Sequence, residues 1–158
     1  MVAPQTPKPL AETPLRVSRT FEASRQRVYR AWTDPELLIR WFVDEDGDMR
    51  VSHLDLRVGG RYRFEGTSSG HRWAIEGTFR EVRPPERLVY TWRFPENPEF
   101  GEPGDTTVTV EFRERGKATE VTVTHEGFTN AASRAEHEKG WIGCLDRLGD
   151  AAAQARQN

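Results

Sequence analysis

The chain has a single cysteine, Cys144, in 158 residues. An internal disulfide is therefore impossible, and a reducing compartment is the expectation. No charge predominates: 23 Lys and Arg stand against 25 Asp and Glu. That balance carries no electrostatic footprint for nucleic acid or for an anionic membrane. No apolar run is long enough to span a bilayer, so membrane insertion is not expected. The N-terminal "MVAPQTPKPLAETP" has neither the charged nor the apolar region of a secretory signal. Its prolines and its shortage of apolar residues make 1–13 a disordered arm ahead of one domain over 14–158. A cytoplasmic protein is the expected sum of these absences.

Metal-ligand patterns are missing too. His137 opens "HEKGW", but the position that would complete H-E-x-x-H is Trp141. His53 and His71 fall on separate strand segments without ligand spacing. "DEDGD" at 44–48 has the alternating aspartates of a calcium loop. Met49 occupies the place of the required glycine and Asp55 that of the bidentate glutamate, so a solvated acidic loop is expected. "GGRYRFEG" has the glycines of a phosphate loop but no helix after them. Arg57, Arg61 and Arg63 read as a wet sheet face, with Arg57 placed to pair with Asp55 or Asp34. No cofactor is expected.

What the chain does have is aromatic weight: five Trp, eight Phe and three Tyr. These can bury enough area for one core. "LRVSRTFEA" is the first strand, with Leu15, Val17, Arg19 and Phe21 on one face. Ser24 fits the N-cap of a short helix through Val28, Ala31 and Trp32. Asp34 then fits an N-cap and Pro35 the first position of a second short helix carrying Leu37, Leu38 and Trp41. From Met49 to His125 the pattern alternates with period two. Tyr62 and Phe64 share a face, as do Trp73, Ile75 and Phe79. So do Leu88, Tyr90, Trp92 and Phe94, then Val108, Val110 and Phe112, then Val121, Val123 and His125. Such alternation predicts antiparallel strands with one buried and one wet face. Short connections predict a meander. The longer 95–104 loop is expected to be mobile.

The last segment reads as one long helix. Ser133 and Glu136 have capping-box spacing, and His137, Trp141, Cys144, Leu145, Leu148 and Ala152 form one stripe. Gly140 and Gly149 flank that stripe, where they let the helix approach the sheet; Gly143 points away from it. "GTSSG" at 66–70 spells the G-x-S-x-G of a hydrolase elbow. An elbow needs a strand-to-helix turn, and this stretch lies between two alternating segments, so it reads as a hairpin tip. Cys144, on a buried stripe, reads as a small inert hydrophobe.

Four stretches, "FEASRQRVYRAWTDPELLIRWF", "LDLRVGGRYRFEG", "GTFREVRPPERLVYTW" and "HEGFTNAASRAEHEKGWIGCLDRL", extend the argument. Together they resemble the family of the activator of heat-shock-protein-90 ATPase homologues, C-terminal-type domain. That family lies within the START and birch-pollen-allergen-like (SRPBCC) superfamily. The resemblance covers roughly residues 14–153. It implies an α+β helix-grip fold: a curved antiparallel sheet of about seven strands around a long C-terminal helix, with two short helices after the first strand. The superfamily includes lipid carriers, hormone receptors, polyketide cyclases and chaperone activators, so the fold alone does not set the function. The many rings on a strongly bent sheet make a cavity for a small hydrophobic ligand between sheet and helix the expectation, with a filled core as the other reading. A co-chaperone-like module with a chaperone partner and a role in stress response is the alternative, and a cyclase- or hydratase-like enzyme in the same cavity a third. The eukaryotic activators carry an additional N-terminal domain for chaperone contact, where this chain has the short arm.

The residues expected to line the ligand space are Trp73, Tyr90, Trp92 and Phe112 from the concave sheet face, and Trp41 and Trp141 from the helical sides. Trp141 is expected opposite Trp92 and Tyr90. His125 is the polar group expected at the ligand. A catalytic role would fall to His125 or Tyr90; the expectation is binding without catalysis.

Overall fold

The computed structural model describes residues 12–96 and 104–156. Most of the N-terminal arm and of the 95–104 loop lies outside the described residues. The chain begins with β1 (Leu15–Phe21), then two short helices, α1 (Arg25–Thr33) and α2 (Pro35–Leu38). Six strands follow: β2 (Gly47–Leu54), β3 (Arg61–Ser68), β4 (His71–Arg83), β5 (Arg87–Trp92), β6 (Thr106–Arg115) and β7 (Ala118–Glu126). The chain closes with the long helix α3 (Ala131–Arg156). The strands form one sheet in the order β1-β7-β6-β5-β4-β3-β2, every pair antiparallel. Strands β2 to β7 are thus a meander, and β1 returns to the β7 edge. This is the helix-grip architecture.

The two short helices start where the cap chemistry places them. The Ser24 side chain accepts from Arg27 N–H at 3.3 Å, and the Asp34 carboxylate from Glu36 N–H at 3.0 Å, with Pro35 next in line. These bonds satisfy donors that a helix start leaves open. The long helix starts differently from the sequence expectation. Asn130, not Ser133, is its cap: the Asn130 side chain accepts from the N–H groups of Ala132 (2.8 Å) and Ser133 (3.2 Å). Ser133 is already inside the first turn, and its hydroxyl is buried without a hydrogen-bond partner. The S-x-x-E spacing was a coincidence; an Asn three residues earlier caps equally well and gains a further turn of helix.

Curvature comes from β4. Its first half pairs with β3 up to Thr78, and its second half pairs with β5 from Phe79 onward, with a bulge at Arg80. A bulge adds local twist and bends the strand. At Gly77 the Thr91 carbonyl comes so close that any Cβ would collide with it. The absence of a side chain there lets the strands fold across each other at the bend. A second bulge, at Ser52 in β2, shifts the phase so that Val51 and Leu54 both turn toward the core.

The core is one cluster between the concave face, α1, α2 and α3. From α3 it takes Trp141, Cys144, Leu145, Leu148, Ala151 and Ala152. Gly149 faces Phe21 of β1 at ordinary contact distance, as its place beside the stripe suggested. Gly140 does not: no atom lies within 4 Å of where its Cβ would be, so it opens onto space rather than onto sheet. The outer sheet face is charged. Arg57 pairs with Asp55 (2.8 Å), and Arg63 sits among Glu65, Glu76 and Glu96. Glu65 is held below the ordinary carboxylate range, first by its hydrogen bond from Arg63. Asp48 of the acidic stretch belongs to β2, where its carboxylate accepts from the N–H and hydroxyl of Thr67.

"GTSSG" is the β3–β4 hairpin tip. Ser69 and Gly70 both have positive φ, 51° and 81°. That is the two-residue turn whose twist matches paired strands. No helix follows it, so the nucleophile-elbow geometry is absent.

Candidate functional site

A cavity of about 530 Å³ lies between the first four turns of α3, the bent strands and the α2–β2 loop. Its wall carries Trp73 and Ile75 from β4, Trp92 from the end of β5, Phe94 beyond it, Phe42 from the loop, and Trp141 and Cys144 from α3. The volume lies within the range of small-molecule sites, and the wall has their composition: aromatic, with a few polar groups.

Polar groups behind and on this wall form two short chains, His137 and Ser133 being themselves on the wall. Trp141 donates its indole N–H to His125 Nδ1 at 3.0 Å. An indole can only donate, so the His125 proton sits on Nε2, which faces Thr106 Oγ1 at 2.7 Å. Thr106 in turn donates to the Trp92 carbonyl at 3.2 Å. Separately, Trp92 donates its indole N–H to His137 Nε2 at 3.2 Å, and His137 Nδ1 donates to the Ser133 carbonyl at 2.7 Å. Both histidines are neutral donor–acceptor relays in this arrangement. Burial, and then the neighbouring His137, hold His125 well below the ordinary histidine range. Two of the three cavity-wall indoles, Trp92 and Trp141, therefore spend their N–H groups inside the protein and turn ring surface toward the space.

The expected site residues divide. Trp73, Trp92 and Trp141 line the cavity. Tyr90 lies behind Phe42 on a second, much smaller space of about 20 Å³, with Tyr62, Phe64 and Phe79. Burial raises the Tyr90 phenol, whose oxygen receives a hydrogen bond from Trp32. Trp41 is fully buried and donates to the Ala31 carbonyl at 2.9 Å. Phe112 packs edge-on against Tyr29 and Trp32. His125 is 0% exposed and sits behind Trp141 rather than on the wall. The space expected between Trp141 and Trp92 is filled, because their rings meet at 5.4 Å. The cavity opens beside that contact, toward Trp73 and Phe42.

Sequence reasoning put Phe94 on the inner face with Trp92 but did not place it, Phe42 or Arg147 at the ligand site. Phe42 touches Trp41, Phe64, Trp73, Trp92 and Trp141 and separates the two spaces. It stands just past a four-residue helix, where no periodicity exists to place it. Cys144 turns its thiol to the Phe42 carbonyl at 3.3 Å, and burial pushes that thiol up to about 12. A thiol held neutral in this way is not a nucleophile. Among the described residues no group of three metal-ligating side chains comes together, and no helix is long and apolar enough to cross a membrane.

The fold recurs in solved structures. One from Chromobacterium violaceum superposes with a TM-score of 0.80 at 31% identity, covering 88% of this chain and 96% of that one. One from Nitrosomonas europaea gives 0.71 at 28% identity, covering 94% and 99%. One from Arthrobacter aurescens gives 0.80 at 20% identity, covering 94% and 90%, which speaks for the fold alone. No curated protein matches the chain. The model of the family described as "Activator of Hsp90 ATPase homolog 1-like protein" matches residues 22–153, and the chain belongs to that family.

Proposed function

We propose that this protein binds a small hydrophobic ligand in the cavity beside α3 and performs no chemistry on it. One observation carries the reading: an aromatic space of about 530 Å³ in which two of the three wall indoles, Trp141 and Trp92, already give their N–H groups to His125 and His137. Ring faces whose N–H groups are turned away and engaged favour an apolar guest over a polar one. The same bonds speak against acid–base work. For His125 to take a proton it would have to release Trp141, and burial opposes its charge. Tyr90 is separated from the cavity by Phe42, and its phenol is held protonated. Cys144 is a neutral thiol bonded to backbone.

The test uses N-phenyl-1-naphthylamine, a neutral aromatic probe that fluoresces in apolar surroundings. Titration should give saturable, one-to-one binding with energy transfer from tryptophan. Cys144→Leu extends a larger side chain into the cavity and should weaken the probe more than tenfold. Absence of saturable binding to the native chain would end the proposal.

A further inference from the structure

The cavity wall holds a cation that no carboxylate among the described residues neutralises. Arg147 of α3 lies on the wall beside Cys144 and Phe42. Its Nε donates to the Trp41 carbonyl at 2.9 Å, and Nη2 reaches the Phe42 carbonyl at 3.4 Å and the Cys144 sulfur at 3.8 Å. No carboxylate among the described residues pairs with it. The two acidic side chains on the same wall are engaged elsewhere: Asp44 accepts from the Asp46 N–H at 3.1 Å, and Glu136 faces Lys139 at 3.8 Å. Arginines of the sheet, by contrast, are mostly paired with carboxylates, as Arg63 and Arg87 show. Gly143 explains how Arg147 lies where it does. A Cβ there would be 3.2 Å from Arg147 Nη1, so the missing side chain leaves the guanidinium room to lie back along the helix.

We infer that Arg147 is an anion receptor at one end of the aromatic cavity, and that the ligand is an amphiphile with an apolar, aromatic-compatible body and one anionic head. This rests on the cavity-binding reading above. The chemistry follows from the guanidinium's shape. Two backbone carbonyls fix one edge of the fork by its Nε and Nη2, while Nη1 has no acceptor among the described residues and can donate to an oxyanion. Its charge stands beside ring faces in a partly desolvated wall, where ion pairing is stronger than in open water. The aromatic walls would take the body of the ligand, and the guanidinium its head.

Two probes that differ by one sulfonate separate the possibilities: 1-anilinonaphthalene-8-sulfonate and neutral N-phenyl-1-naphthylamine. The measured quantity is the ratio of their dissociation constants, so general damage to the cavity cancels. The native chain should favour the sulfonate about tenfold, the scale of one charge-assisted hydrogen bond. Arg147→Gln should bring the ratio close to one. Gly143→Glu should do the same while retaining the arginine, because it sets a carboxylate one helical turn before the guanidinium, close enough to draw Nη1 to itself. If Arg147→Gln fails to fold, Gly143→Glu decides. Equal affinity for both probes in the native chain, or a preference that survives both substitutions, would overturn the anion site and leave the cavity reading intact. Failure of both probes to bind would overturn both readings.

Discussion

Acid should destabilise this protein through one buried histidine. His125 is 0% exposed, accepts from Trp141 and donates to Thr106, so its neutral form is built into the core. Burial holds its folded value well below the ordinary 6.5. The unfolded chain protonates His125 near 6.5, whereas the folded chain resists, so below that pH the unfolded state binds more protons. Stability is therefore complete above about pH 6.5 and falls progressively as pH drops toward the depressed folded value. One proton of difference gives a slope approaching about 1.4 kcal/mol per pH unit. Between pH 7.5 and 5.5 His125 alone should remove about 1.4 kcal/mol, before most carboxylates titrate. Urea unfolding at the two pH values measures this directly, as a shift in midpoint at constant slope. His125→Gln removes the titration; although less stable overall, it should lose about 1.4 kcal/mol less across the interval. The exposed His53 and His71 are common to both chains and drop out of the difference. Equal losses in the two proteins would refute the account of His125 as a neutral buried relay.

Other outcomes follow from the same geometry. Thr106→Val keeps the shape but leaves the His125 Nε2–H and the Trp92 carbonyl without their partner; about 1–3 kcal/mol of stability should be lost in urea unfolding. Ser68→Ala at the hairpin tip should change stability by less than about 0.5 kcal/mol. Ser68 should not be labelled by a fluorophosphonate. Gly70→Ala, at φ 81°, should cost about 1–2 kcal/mol by the same assay. Phe42→Ala should join the cavity to the small space lined by Tyr62 and Tyr90, and larger neutral probes should then bind more tightly than to the native chain.

Local rules made much of this molecule legible before its structure. Period-two alternation is set by the strand backbone itself, so the faces carrying Tyr62 and Phe64, or Val108, Val110 and Phe112, could be read directly. Ser24 and Asp34 cap their helices through bonds two or three residues away, which sequence spacing displays. "GTSSG" could be read because its neighbours are strands on both sides. The start of α3 was misread for the opposite reason: Ser133 and Asn130 are both competent caps, and only the packing of the chain chooses. The site depended on contacts that spacing cannot show. Trp92 meets His137 across 45 residues, and Arg147 reaches the Trp41 carbonyl across 106. Alternation told which side of the sheet a ring occupies, but not whether it fills the core, as Phe112 does, or borders a void, as Trp73 does. That distinction is set by how far the β4 bulge bends the sheet and how α3 is rotated above it. Both are balances of packing over the whole core, in which no single residue has a decisive signature.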